Sequence, residues 1–331
     1  MTNIFYPDDI QVIASSLLAG EVIAIPTETV YGLAAIIDNK AAVQKIFELK
    51  NRPLNHPLIV HVADIDKFLL YSKNLPAYAM KLAEKFWPGP LTLVCNKSDF
   101  IENYITGNQE TVGIRIPNHP VTLALLEQVN CGLAAPSANK FGKISPTEAQ
   151  HVINDFGSTV KVLDGGKCKI GLESTILDVT HHDFCMLLRP GMISLNEIQA
   201  TIGETEIRTR FSQNQRVSGN LKYHYAPNKP SLLFHNHSEL NRIFQIFNNS
   251  VYVLHIKEMD EYQNAHYQKM PSLHTEYAKV LYQNLREADQ SSFQAIAIEF
   301  PNDHLEWQPI IDKLVKLTAY THETYKLTEP A

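Results

Sequence analysis

Residues 112–149, VGIRIPNHPVTLALLEQVNCGLAAPSANKFGKISPTEA, decide the fold class. The opening VGIRIP is a short β-rich run ended by a proline. Residues 121–129 then place apolar side chains at helical spacing, and GLAAP reads as a second short strand closed by a proline. A helix between two strands is the building unit of an α/β sheet. At the far end Ser145, Pro146, Thr147 and Glu148 spell a capping box with proline at the first helical position, which predicts a helix start there. A helix start is also an anion site. The two serines, the asparagine and the two lysines of SANKFGKIS therefore fit either a capped helix after a plain loop or a surface that holds an anion.

The same alternation runs outward in both directions. EVIAIP, PLIVHV, LTLVCN, VKVLD, STILDV and CMLLRP read as strands, and residues 9–18, 41–49, 77–86 and 148–154 as helices. A second capping box, Ser194 to Glu197, opens a last helix. After Gly203 the chain becomes polar without a clear period, a length more often functional or linking than incidental. From Ser231 the α/β pattern resumes with SLLFH, a helix near 239–247, VYVLHI, a helix around 277–287, AIAIEF and a helix at 307–317. The expected organisation is an α/β domain at 1–203, a linker at 204–230 and a smaller α/β domain at 231–331. A chain of 331 residues also exceeds what one hydrophobic core supports.

Composition narrows the function classes. The hydrophobic share of 44% and the charged share of 19% are those of an ordinary globular protein. A formal charge of −6 argues against a non-specific nucleic-acid coat or a membrane-surface binder, but leaves room for a local cationic site. No apolar run approaches the ~18 residues of a membrane span, and the N-terminus reads as an amphipathic helix, not a secretory signal. Cys95, Cys131, Cys168 and Cys185 form no CxxC pair, which fits reduced structural thiols in a cytoplasmic protein.

Before residue 200 the arginines are Arg52, Arg115 and Arg189, and each stands at an element end with a proline one or two residues on. A guanidinium held where the backbone turns can fork onto a carboxylate or phosphate. Taken together they suggest convergence on one anionic ligand. Lys50, two residues before Arg52, fits a ligand contact or a solvated lysine at a helix C-terminus. There is no Walker P-loop and no GxGxxG, so several separate loops would hold any nucleotide.

IPTETVYGLAA, KNRPLNHPLIVHV, FWPGPLTLV, VGIRIPNHP, AAPSANKFGKISPT, GLESTILDV and LLRPGMIS occur in that order, and the set resembles the YrdC-like family of threonylcarbamoyl-AMP synthases. The similarity covers about the first two hundred residues. KYHYAP and the small domain after it resemble the long, two-domain form. The resemblance implies a twisted, open, mixed α/β sheet with a cationic concave face, followed by a smaller Rossmann-like domain. It implies the reaction of L-threonine, bicarbonate and ATP to threonylcarbamoyl-adenylate and pyrophosphate, the first step of tRNA threonylcarbamoyladenosine (t6A) modification. Mg²⁺ would arrive with ATP, not on a protein metal site. Implied partners are the downstream tRNA threonylcarbamoyl-transferase machinery and, through a weak contact, tRNA itself.

Motif by motif, the implied catalytic tetrad falls on Lys50, Arg52, Ser137 and Asn139. Threonine-binding positions fall on Thr29, His61, Arg115, Ala135 and Ser174. Nucleotide-binding positions fall on Arg52, His56, Thr111, Ser137, Ser145, Arg189 and Tyr225. His56 stands where many relatives carry asparagine, and SGNLKYHYAP departs from the commoner linker pattern. Glu28 and Glu173 are the acids inside the motifs, with a structural hydrogen-bonding role favoured over general-base work. Trp87 reads as core and turn. The linker around 222–227 is the candidate lid over a product that water would destroy. Two other classes stay open: an RNA-binding module, and a carbamoyl-transfer domain with a different acceptor.

Overall fold

The computed structural model describes residues 3–209, 224–259 and 264–325. Linker residues 210–223, including the first part of the candidate lid, lie outside the described residues. Two compact units emerge, one of Met1–Phe141 with Ser145–Asn220, the other of Gly142–Ile144 with Leu221–Ala331.

The first unit is built on a twelve-stranded sheet. Its strands are β1 (Ile4–Phe5), β2 (Ile23–Ile25), β3 (Gly32–Ile36), β4 (Ile59–His61), β5 (Ser72–Lys73), β6 (Leu91–Lys97), β7 (Thr111–Arg115), β8 (Leu133–Ala134), β9 (Lys161–Leu163), β10 (Thr175–Asp178), β11 (Phe184–Arg189) and β12 (Glu206–Arg208). They follow the order β1-β9-β2-β3-β8-β4-β7-β6-β10-β11-β12, with β5 beside β6, in parallel and antiparallel pairs. The sheet is open, twisted and mixed, as the resemblance implies. Its helices are α1 (Ile10–Leu18), α2 (Lys40–Lys50), α3 (Ile65–Tyr71), α4 (Ala77–Phe86), α5 (Asn103–Thr106), α6 (Pro120–Val129), α7 (Ala149–Phe156) and α8 (Leu195–Ile202).

Strands β2 and β3 are buried on both faces, which is why their sequences are apolar throughout instead of alternating. Ala24, Leu33 and Ala35 face a core shared with α2, α4, α7 and α8. Ile23, Ile25, Ala34 and Ile36 face another, filled by Ile13 and Leu17 of α1 and Leu125 and Leu126 of α6. Each fully buried Leu or Ile contributes about 1.5–3 kcal/mol, so the sheet is pinned from both sides. Trp87 is buried, donates its indole N–H to the Leu91 carbonyl at 2.7 Å and packs on Phe68. Cys95, Cys168 and Cys185 are buried free thiols, and Cys131 is half-buried.

Two element starts separate along the two capping boxes. Ser194 and Glu197 form theirs reciprocally, at 3.2 and 2.9 Å, and α8 follows. Ser145 does not cap a helix: α7 begins at Ala149, and Glu148 occupies the cap position in extended conformation. The reason is backbone pairing. The Pro146 carbonyl accepts from the Tyr31 amide and the Thr147 carbonyl from the Cys168 amide, each at 2.9 Å, so these residues are held in a tertiary layer. The amide of Thr147 instead donates to His151 Nδ1 at 3.2 Å.

The second unit is a four-stranded, all-parallel sheet in the order β13 (Ser231–Phe234), β16 (Ala295–Glu299), β14 (Val251–His255), β15 (His266–Lys269), with helices α9 (His237–Ile246), α10 (His274–Gln290) and α11 (Gln308–Tyr325). Leu232, Val253, Ala297 and Phe244 fill its core. Residues 142–144 join this unit through the Ala226 amide on the Gly142 carbonyl at 2.9 Å and Arg286 on the Ile144 carbonyl at 2.5 Å. No helix of the described residues is long and apolar enough to cross a membrane.

Candidate active site

Helix α2 ends at Asn51, which takes the left-handed conformation (φ 54°) and turns the chain sharply. That turn sends Lys50 inward. The side chain is 1% exposed, and its ammonium donates to the carbonyls of Ser137 and Asn139. The solvated-lysine alternative is thereby excluded. Burial, and secondarily the charge of Arg52, push the Lys50 ammonium well below its ordinary range. Arg52 is buried as well. It donates to the Pro57 carbonyl at 2.9 Å and lies over the Phe141 ring, 5.5 Å from its centroid. His56 meets the same ring edge-on at 5.3 Å.

The SAN loop is fixed against β3. Leu33 donates to the Pro136 carbonyl and Ala138 to the Tyr31 carbonyl, at 2.7 and 2.8 Å, while Ser137 bridges Gly32. A Cβ on Gly32 would stand 3.2 Å from the Ala135 methyl, so glycine is what lets the two backbones approach. Ala135 is buried and donates to the Ile59 carbonyl at 3.0 Å. Asn139 is buried, with its amide group on the Lys140 carbonyl.

A second cluster forms where β4 and β7 end. Their parallel register sets His61 opposite Arg115. Arg115 donates to Thr29 Oγ1 at 2.9 Å and to the Gly89 carbonyl at 3.1 Å, and its Nη2 stands 2.6 Å from Glu28 Oε1. Burial and the Arg115 charge lower His61 to about 3, so its imidazole is neutral at physiological pH. The row continues across the sheet through Ile114 opposite Leu93, Leu91 opposite Thr175, and Ile176 opposite Arg189.

There the third cluster lies. Arg189 donates to the carbonyl and the hydroxyl of Ser174, both at 3.0 Å, and Ser174 shares a hydrogen bond of 2.7 Å with Thr92. Beside it Ser145 donates to Glu173 Oε1 at 2.6 Å. All five residues are buried.

The structure thus brings together Lys50, Arg52, His56, Ser137 and Asn139; Thr29, His61 and Arg115; and Ser145, Ser174 and Arg189. Thr111 opens β7, about 13 Å along the strand from Arg115 at ~3.3 Å per residue, and takes no part in these contacts. Tyr225 belongs to the second unit, where it is buried with its ring 5.3 Å from the Lys313 ammonium and 5.9 Å from Tyr282. Phe141 and Thr92 escaped the sequence reading. A threonine inside the apolar run LTLV was the one available sign, since a buried hydroxyl requires a partner.

Buried cations and hydroxyls on one mixed sheet define an α/β protein with a site suited to anionic groups. A family model described as "Telomere recombination" (Sua5, YciO and YrdC) matches residues 15–191, and one described as "Threonylcarbamoyl-AMP synthase, C-terminal domain" matches residues 193–319. The threonylcarbamoyl-AMP synthase of Bacillus subtilis is 39% identical over 92% of this chain and 91% of that protein. That of Pyrococcus abyssi is 44% identical over 66% of this chain, a match spanning 65% of the relative's length. The solved structure of P. abyssi Sua5 complexed with L-threonine aligns with a TM-score of 0.86 at 33% identity, covering 96% of this chain and 98% of that one. The chain belongs to the Sua5/YrdC family in its two-domain form.

Proposed function

We propose that this protein is a threonylcarbamoyl-AMP synthase. It joins L-threonine, bicarbonate and ATP into L-threonylcarbamoyl-adenylate, releasing pyrophosphate and water. The observation that carries the reading is the burial of Lys50 and Arg52 beside the Ser137–Asn139 loop, which concentrates cationic side chains next to hydroxyl and amide groups.

Carbamate formation and attack on the α-phosphate bring mutually repelling anions together, and preorganised cations are the main means of offsetting that repulsion. Arg115 receives the threonine carboxylate. Neutral His61 and Thr29 offer hydrogen bonds to its hydroxyl side, and Ala135 and Ser174 bound the same pocket. Lys50, Arg52, Ser137 and Asn139 hold carbamate and phosphates, with Arg189, Ser145, His56 and Thr111 serving the nucleotide. The substrate's own carbamate oxygen is the nucleophile, so no serine needs to be one. As a nucleotidyltransferase the protein leaves an AMP ester on the carbamate.

Mg²⁺ enters as part of the ATP complex. Glu28 is ion-paired with Arg115 and Glu173 accepts from Ser145, so with a cationic donor set around them the site favours an ion carried by ATP. It would shield triphosphate charge and ease departure of pyrophosphate. The product passes in the cytoplasm to the machinery that transfers it to tRNA.

The deciding experiment follows pyrophosphate with ATP, labelled bicarbonate and each amino acid in turn. Release that requires both threonine and bicarbonate supports the reading. Release independent of threonine transfers the site to another carbamoyl acceptor, and no release with tight RNA binding returns the RNA-module reading.

A further inference from the structure

Glu28 is 4% exposed and its carboxylate stands 2.6 Å from Arg115 Nη2, yet the oxygen lies off the N–H directions. Among the described residues neither oxygen of Glu28 receives a hydrogen bond, and Arg115 Nη2 makes none. A buried ion pair holds its place only when its remaining lone pairs and protons are satisfied. The other acid of the site shows what satisfaction looks like: Glu173 Oε1 accepts from Ser145 at 2.6 Å. Arg115 is otherwise firmly oriented, by Thr29 and the Gly89 carbonyl. The unused capacity is therefore concentrated in one positive and one negative group, side by side.

Such a pair complements a zwitterion. An α-amino acid carries its carboxylate and ammonium on one carbon, and inserted here it gives the carboxylate to Arg115 Nη2 and the ammonium protons to Glu28. Each buried charge then exchanges one opposite charge for another and gains the hydrogen bonds it lacks. His119 lies within electrostatic reach of Glu28, and burial lowers its pKa, so it does not supply a competing cation.

We propose that Glu28 is a substrate-binding and specificity-determining residue that receives the α-ammonium of the amino acid. The proposal rests on the threonine reading above. It assigns the site a way to reject hydroxy acids of the same shape, because a ligand without the ammonium leaves the buried Glu28 carboxylate unpaired.

Calorimetric titration of wild type and Glu28→Gln with L-threonine and with 2,3-dihydroxybutanoate of matching stereochemistry tests it. Wild type should prefer threonine by at least about 30-fold, and the variant should bind the two within about 3-fold of each other, chiefly through loss of threonine affinity. Retained binding of the hydroxy acid by the variant certifies the fold. A variant that keeps the wild-type preference, or weakens both ligands equally, overturns the proposal, since either result assigns Glu28 to holding Arg115 alone. Should the variant fail to fold, the wild-type comparison decides, and equal affinities overturn it. Absence of threonine binding in wild type is a different result and removes the underlying function reading.

Discussion

Ser145 Oγ donates to Glu173 Oε1 at 2.6 Å, and both side chains are buried. The hydroxyl that sequence pattern assigned to a helix cap thus serves a carboxylate. Ser145→Ala should cost about 1.5–3 kcal/mol of stability by leaving Glu173 without this donor. Denaturant titration checks the loss, and helical signal per folded molecule should be unchanged because α7 starts at Ala149. A raised KM for ATP should accompany it, and unaltered stability and KM together would remove Ser145 from the site.

Lys50→Ala and Arg52→Ala should each reduce kcat by at least ~100-fold while the protein stays folded, as loss of a charge contact made in the transition state does. Near-normal turnover would mean that the cationic centre lies elsewhere.

Lys50 is also expected to report nucleotide binding through protons. In the free protein burial and Arg52 lower its pKa, and a bound triphosphate raises it again. Between the lowered value and the ordinary one, binding must take up a proton. Calorimetry in buffers of different ionisation enthalpy should show this uptake with ATP in wild type and lose it in Lys50→Met.

His61 should make the fold acid-labile. Its folded value of about 3 lies below its ordinary 6.5, so the unfolded chain binds the proton first as pH falls. The stability it permits is complete above pH 6.5 and is lost toward pH 3, at up to about 1.4 kcal/mol per pH unit. His61→Gln should flatten the stability profile over that interval. A profile identical to that of wild type would place the histidine in a solvated setting.

Phe141→Leu should leave the core intact but remove the ring on which Arg52 and His56 rest. A cation–π contact of ~0.5–2 kcal/mol predicts up to about a thirty-fold loss in kcat/KM for ATP, with little change in KM for threonine. Equal effects on both substrates would contradict the placement of this ring on the nucleotide side.

The order of short apolar runs and helical periods determined the α/β class by itself, since period 2 and period 3.6 are properties of local chain geometry. Ala77–Phe86 forms over the span its spacing predicts, and the Ser194 box caps the helix it announces. The prolines after Arg115 and Arg189 also marked the strand ends at which both arginines stand. Tertiary structure decided what local pattern cannot encode. Ser145, Pro146, Thr147 and Glu148 satisfy every local rule for a helix start, but Tyr31 and Cys168 take the carbonyls of Pro146 and Thr147, and long-range pairing outweighs a cap worth about 1 kcal/mol. Glu206–Arg208 adds an edge strand beside β11 that its polar sequence did not announce, because an edge strand needs backbone partners more than apolar side chains. Lys50 read equally as solvated or as a ligand contact. Only the left-handed turn at Asn51, closing on a loop ninety residues away in sequence, buries its charge and makes it part of the site.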